Sequence, residues 1–597
     1  MFSIIPKLCR HLLYRRAILA AGVSVLFLVE PDTLYAAQFT IPTPAGPIGV
    51  QLQHAGPDGS LTPARMPQHG GFRPPVIFTA PLPSGSGARA LGVAGAFTAV
   101  ADDATAASWN PAGLIQLERP EASAVYRFSR TKNTHGNIDN AFKARSATYE
   151  EDNLNYFSTA HPFQSFGRNA VLALNYQEAY DFAQRFDATI HQQERDVVDE
   201  TSASVFHETR IQRIVNPDLD LTITSEFTTT LDSRLHQVIV SDLLTALNFR
   251  QEGVIDAITP ALAVEIHPHL SLGMAVNFYR DAQSLGHPLQ STTRAVYEGH
   301  TTSYAHTTDE RTTTGTYAFE GRERLSGAGA PPIWIDLPYK KDNYPPFSET
   351  EESDTVQQYR VEGEYNEFNT FTDLQGVNAT LGALWEVSSR LNLGCTVDLP
   401  WTAEAEQTKR LRSETTVYDA SGLRLVDHTV VEERISKDVE FKFPLYCAVG
   451  ALWRWTDRLY TSLDVSITQW SEFSFKAEGE ERLNPLDGSA YGEHGIDDCW
   501  AVRGGAEYLW IMRRLVIPFR VGASWEQRPA IGTPDNYWGF SLGSGLSAGK
   551  DPGKLILDIA YLYLRGDEAM GSIVEGRDGL ETDVEKHEVY VSGIWHF

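Results

Sequence analysis

Residues Gly87 to Gly113 read GARALGVAGAFTAVADDATAASWNPAG. The run from Gly92 to Ala101 is too small and apolar for a solvated surface, so it should pack tightly inside something larger. Asp103 is placed to cap a short helix ending near Trp109, which Asn110-Pro111 then breaks. The expected product is a compact, mainly helical plug. An ordinary small-residue packing helix in a soluble domain is the blander reading, and the flanking sequence decides between them.

Upstream, Lys7, Arg10, Arg15 and Arg16 form a positive n-region. The apolar core from Ala17 to Val29 is too short to span a bilayer as a helix. Small residues at Ala36 and Ala37 offer cleavage positions, so residues 1–37 are expected to be a signal peptide. No later segment is an unbroken apolar run of transmembrane-helix length. Membrane residence then requires a closed β-barrel.

Downstream, the chain alternates with period two and ends on an aromatic. Val589, Val591, Gly593, Trp595 and Phe597 interleave with Tyr590, Ser592, Ile594 and His596. Lipid-crossing strands need about 9–11 residues between two interfacial aromatic girdles. Trp500 and Trp510 bracket one such strand, and Trp510/Trp525, Trp455/Trp470 and Trp385/Trp401 each bracket a tight turn plus the strand that follows it. Short turns at Phe163–Gly167, His267–His269, Ser388–Arg390 and Asp551–Gly553 join alternating runs. Phe443–Phe473 and Trp500–Trp525 read as two further hairpins, so six hairpins with Glu121–Arg130 and the terminal strand bring the tally to about fourteen strands. The fold class is therefore all-β, an antiparallel transmembrane barrel in which the first strand pairs with the last.

Alternation also assigns a lumen face. If Leu463, Val465 and Ile467 meet lipid, Asp464 points inward; the same rule sends Asp398, Arg503, Glu507, Arg520 and Asp558 inward. These charges can pair with one another and with Arg89, Asp102 and Asp103. A lattice holding the plug is favoured over a solute-selective charged channel.

Gly87-Ala-Arg89-Ala-Leu91-Gly92, the small-residue run, Asp102-Asp103-Ala104 and Trp109-Asn110-Pro111-Ala112-Gly113 together resemble the hatch signature of the FadL-like outer-membrane transporters of long-chain fatty acids and other hydrophobic compounds. The resemblance implies a fourteen-stranded barrel (119–597) plugged by an N-terminal extension and hatch (38–118), in the outer membrane of a diderm bacterium. It implies gated passage of a hydrophobic ligand such as a fatty acid, with Arg89, Asp102, Asp103, Asn110, Pro111 and Ala112 at the hatch. The last strand, with Trp595 and Phe597, resembles the signal read by the outer-membrane assembly machinery. A monomer in contact with outer-membrane lipid is expected. The family's kinked third strand has no Gly or Pro to mark it in Ala170–Tyr180.

The short turns should be periplasmic and the long connections, roughly 181–252 and 281–373, extracellular. In the first, Val238 to Leu247 is apolar at near-helical spacing behind Ser241 or Asp242. Val240, Leu243, Leu244 and Leu247 are candidates for first contact with a greasy ligand, though packing loops together is equally open. The lumen should hold an elongated pocket lined mainly by carbon.

Composition narrows the classes. The chain has 597 residues, 42% of them hydrophobic, and a net charge of −27, which argues against nucleic-acid binding. Once Cys9 leaves with the signal, Cys395, Cys447 and Cys499 remain, an odd number without metal-ligand spacing. Gly545-Leu-Ser547-Ala-Gly549 matches a nucleophile elbow but lies in a strand. Gly85 to Ala90 mimics a dinucleotide loop without a βαβ unit. His267 and His269 lack further metal ligands. No enzyme, cofactor or metal is expected. Two rivals stay open: an adhesion or interaction protein on a FadL-like barrel, and a porin for polar solutes.

Overall fold

The computed structural model describes residues 80–597 except 84, 138–141, 144, 217–218, 283–287, 326–330, 487, 494, 514, 531, 549–552 and 570–579, together with short strand pairings between residues 25 and 51. The cleavage positions Ala36 and Ala37 and the turn residues Asp551 and Pro552 lie outside the described residues.

Twenty strands of this region matter here. The first ten are β1 Glu121–Asn137, β2 Arg145–Ser165, β3 Arg168–Asp181, β4 Gln184–Asn216, β5 Leu219–Glu252, β6 Val254–His267, β7 Leu270–Asp281, β8 Leu289–Leu325, β9 Ile333–Ser388 and β10 Leu391–Asp398. Then come β11 Trp401–Asp419, β12 Leu425–Phe443, β13 Tyr446–Thr456, β14 Leu459–Thr468, β15 Ser474–Ala477, β16 Cys499–Ile511, β17 Val516–Arg528, β18 Asp535–Ala548, β19 Leu555–Ala569 and β20 Leu580–His596.

Fourteen of them close an antiparallel barrel in the order β1, β2, β3, β6, β7, β9, β10, β13, β14, β16, β17, β18, β19, β20. Closure is the pairing of β20 with β1, from His596↔Glu121 to Leu580↔Asn137, so neither strand is left as an edge. One end of the barrel is made of tight turns. At Phe166-Gly167 both residues have positive φ, 52° and 73°, the geometry that matches the twist of a two-residue hairpin. Trp385, Trp453, Trp455, Trp510 and Trp595 are all exposed at strand positions near that end. Trp500 and Trp538 face outward toward the other end, completing two aromatic belts.

Trp401 and Trp470 depart from this plan. Both are buried: Trp401 stacks between Tyr279 (3.9 Å) and Phe443 (4.3 Å), and Trp470 meets Phe473 edge-on. They belong to an aromatic cluster inside the barrel mouth: Trp401 opens β11 with its ring turned inward, and Trp470 opens the 3₁₀ turn Trp470–Glu472.

The long connections correct the reading of 181–252 and 281–373 as loops. They are strands: β4, β5, β8, the first part of β9, β11, β12 and β15 hydrogen-bond in sequence into a second antiparallel sheet. It rises from the end opposite the tight turns. β9, 56 residues long, belongs to both sheets: residues 375–385 pair with β7 in the barrel and 333–371 with β8 above it. Runs such as Thr228-Thr229-Thr230 supply the β-branched residues that suit strands. The helix-like patch is also corrected. In β5, Ile239, Ser241, Leu243, Thr245, Leu247 and Phe249 are buried while Asp242 and Leu244 are exposed and Val240 is half-buried, a period of two. Leu243 and Leu247 therefore face the interior of the extension and Leu244 faces solvent. An isolated stretch of leucines and valines satisfies either period; pairing to β4 and β8 on both sides selects the strand.

Candidate functional site

The segment from Gly85 to Leu117 lies inside the barrel. It holds one short helix, Ala88–Gly92, and two 3₁₀ turns, Ala104–Ser108 and Pro111–Gln116. Asp103 caps the first 3₁₀ turn, its carboxylate accepting from Thr105 N at 2.8 Å. Asn110 does more than end that turn. Its side chain accepts from Ala112 N (3.1 Å), starting the second turn with Pro111 at its first position. Its amide also donates to Thr98 O (2.8 Å) and to Ala383 O of β9 (3.0 Å), which ties the segment to the barrel wall.

The wall is shaped for this segment by glycine. A Cβ built on Gly273 would lie 2.2 Å from Ala112 N, on Gly382 2.2 Å from Asn110 Oδ1 and on Gly394 2.3 Å from Thr98 O. On the opposite wall, a Cβ at Gly505 would lie 2.5 Å from Val93 Cβ and at Gly522 2.4 Å from Val93 C. Gly273 pairs directly with Gly382, Gly394 with Gly450 and Gly505 with Gly522, so bare backbone is offered two strands at a time. No side chain could occupy these positions without expelling the segment. Sequence reading missed this seat; glycines interrupting the inward register of β7, β9, β10, β13, β16 and β17 were the available signal.

Charges lock the same contact. Arg89 pairs with Asp102 (2.6 Å) and with Glu507 of β16 (3.3 Å); Glu507 pairs with Arg520 of β17, and Arg520 with Asp558 of β19 at 2.6 Å. Asp464 of β14 accepts from Thr98 N at 2.8 Å. Ser271 and Ser541 hydroxyls donate to Ala112 O and Gly92 O. Of the inward charges singled out by alternation, Asp464, Glu507, Arg520 and Asp558 are buried against or beside the segment. Arg503 and Asp398 face the space above it.

That space is a chamber of about 360 Å³, between the segment and the barrel mouth. Ser86, Trp109 and Gly95 contribute its floor. Tyr180, Tyr279, Tyr446 and Trp470 form an aromatic side, while Arg127, Glu151, Glu526, Arg528 and Lys586 form a charged one. The expectation of a pocket lined mainly by carbon is not met: strands here point alternate residues inward, and those of β1, β17 and, apart from Val584, β20 that reach the chamber carry polar groups. β3 carries a register shift against β6 at Glu178/Tyr180, an irregularity made without Gly or Pro. Leu243 and Leu247 lie in the extension and do not line the chamber. Cys395, Cys447 and Cys499 are all free.

No family model matches the chain, and no curated protein matches it. Among solved structures it is similar to a Pseudomonas aeruginosa FadL homologue, with 13% identity and a TM-score of 0.46 over 87% of this chain and 100% of that one. It is also similar to the Ralstonia pickettii toluene transporter TbuX, at 13% identity and a TM-score of 0.39 over 86% of this chain and 98% of that one. The P. putida toluene transporter TodX matches at 11% identity and a TM-score of 0.39, over 86% of this chain and 99% of that one.

Proposed function

We propose that the protein is an outer-membrane channel that admits hydrophobic compounds from the cell surface through a barrel closed by a hatch, residues 85–117. The observation that carries the reading is the seat itself: glycines on opposite walls hold the segment across the lumen, directly beneath a chamber with an aromatic side. A permanently open pore for polar solutes has no use for such a seal. Moving an apolar ligand from water into a chamber against Tyr180, Tyr279 and Trp470 gains about 0.8 kcal/mol per buried CH₂. Long-chain fatty acids and the aromatic hydrocarbons carried by the similar transporters are both within this class. The tight turns face the periplasm and the second sheet the exterior, as the hatch signature implies.

The test is a pair of measurements, one on the purified full chain and one on cells with and without the protein. Planar-bilayer conductance should be low and steady, and labelled hydrophobic compounds should enter cells more slowly when the protein is deleted, with small-sugar uptake unchanged. High conductance with normal uptake of hydrophobic compounds in the deletion strain promotes the porin reading.

One observation favours a second reading, attachment to an external partner. The far part of the second sheet exposes Trp334, Tyr339 and Phe347 of β9, well clear of the barrel pairings. Shortening the β4–β5 hairpin by 197–237 and the β8–β9 hairpin by 306–354 should leave uptake intact; loss of cell or surface binding with normal uptake would establish that role.

A further inference from the structure

We infer that the chamber selects compounds with a cationic or hydrogen-donating polar end, amines foremost, over carboxylates. The inference rests on the channel reading above and narrows its substrate class. It starts from which chamber charges are already spoken for. Arg127 pairs with Glu178 (2.5 Å) and Asp181 (3.0 Å), Arg503 with Glu526 (3.5 Å), Arg528 with Glu526 (3.1 Å) and Lys586 with Glu588 (2.9 Å). Every cation that lines the chamber thus has a carboxylate of the barrel against it. Arg503 and Arg528 share Glu526, and an incoming carboxylate at any of these cations meets the like charge of the carboxylate already there.

Asp398 is in the opposite situation. It is the last residue of β10 and lines the chamber, yet among the described residues no ion pair involves it. Directly across the ladder stand Thr380 of β9 on one side and Tyr446 of β13 on the other. The Thr380 hydroxyl accepts from Asn277 Nδ2 at 3.0 Å and turns its own proton to Asp398, a neutral donor that leaves the carboxylate without a counter-ion. The same side of the chamber carries the rings of Tyr180 and Tyr279, the latter stacked on Trp401 at 3.9 Å. A carboxylate beside electron-rich aromatic faces, open to a cavity and lacking a cation, is the arrangement that receives an organic ammonium group. The apolar remainder of such a compound would lie along Tyr180, Tyr279 and Trp470.

Three ligands that share one skeleton test this: 3-phenylpropylamine, 3-phenylpropan-1-ol and 3-phenylpropanoate, titrated calorimetrically into the full-length protein in neutral-lipid nanodiscs. The amine should bind at least tenfold more tightly than the propanoate, with the alcohol between them. Asp398→Asn, isosteric and checked for heat-modifiable migration, should cut amine affinity about tenfold and leave the alcohol unchanged. Propanoate binding as tight as the amine in the unaltered protein, a comparison that needs no variant, overturns the inference and leaves the channel reading standing. So does full amine affinity in a folded Asp398→Asn protein. Absence of binding by all three removes the channel reading, and the inference with it.

Discussion

Gly382 and Asn110 stand so close that a Cβ on the glycine would fall 2.2 Å from the asparagine Oδ1, while the next residue, Ala383, receives the Asn110 amide through its carbonyl at 3.0 Å. A strand and the segment it encloses are thereby fitted backbone to side chain. The contact needs both partners: a bare Cα on the wall and a side chain that can donate and accept at once.

Gly382→Ala should unseat the segment without unfolding the barrel. Overpacking of this kind costs about 1–3 kcal/mol, and the cheapest relief is movement of Asn110 away from β9. Single-channel conductance should rise well above that of the unaltered protein. Gly504→Ala is the control, because its Cβ would meet nothing nearer than 3.7 Å. Equal conductance in the two variants would show that the glycine seat does not hold the lumen closed.

Asn110→Ala removes the donor to Thr98 O and Ala383 O in a fully buried place. Leaving buried carbonyls unpaired costs about 1–3 kcal/mol. Cleavage of the 85–117 segment by protease added from the tight-turn side should become faster, and Asn110→Asp, which keeps the acceptor and loses both donors, should resemble Ala. Unchanged digestion kinetics in both variants would remove Asn110 from the latch.

Arg520→Met strands Asp558 and leaves Glu507 with Arg89 alone, in a place where the Arg520 side chain is 3% exposed and Glu507 and Asp558 are 2% and 1% exposed. Removing one member of a buried charge cluster costs about 3–5 kcal/mol. The temperature at which the compact electrophoretic form converts to the unfolded one should drop clearly. Combining Arg520→Met with Glu507→Gln and Asp558→Asn should recover part of the loss. A triple variant as unstable as the single would mean that packing around the arginine stem, and not its charge, is what matters.

Deleting Phe597 should reduce outer-membrane yield several-fold. Its backbone N–H donates to Pro120 O at 3.1 Å, next to the start of β1, and its ring lies 5.1 Å from that of Trp595 on the exposed face. The residue thus sits at the seam where the first and last strands close. Normal yield and normal heat-modifiable migration after the deletion would argue against a terminal recognition role.

Much of the barrel was legible in the chain because its signals are local. Alternation is set within a strand by the pleat, as in Leu463–Asp464–Val465, and the tight turns at Phe166-Gly167 and Ser388–Arg390 fall where the pattern breaks. Spacing between exposed tryptophans such as Trp500 and Trp510 is set within one strand, another short-range quantity. The composition of Gly92 to Ala101 likewise announces close packing without naming the partner.

What the chain alone determined, then, is the number of barrel strands, their faces and the presence of a buried small-residue segment, all properties that depend on neighbours within about a dozen residues along the sequence. The tertiary structure decided the rest. Leu243 and Leu247 became strand positions only through pairing with β4 and β8, and Trp401 turned inward only because its strand stands at the mouth above Tyr279. The seat of Gly273, Gly382, Gly394, Gly505 and Gly522 gathers residues from five strands, β7, β9, β10, β16 and β17, each ordinary by itself. Asp398 acquires its place beside Tyr446 and Thr380 from interstrand register. Register is fixed by the sum of contacts along whole strands and by barrel closure, and no local stretch of sequence carries that sum.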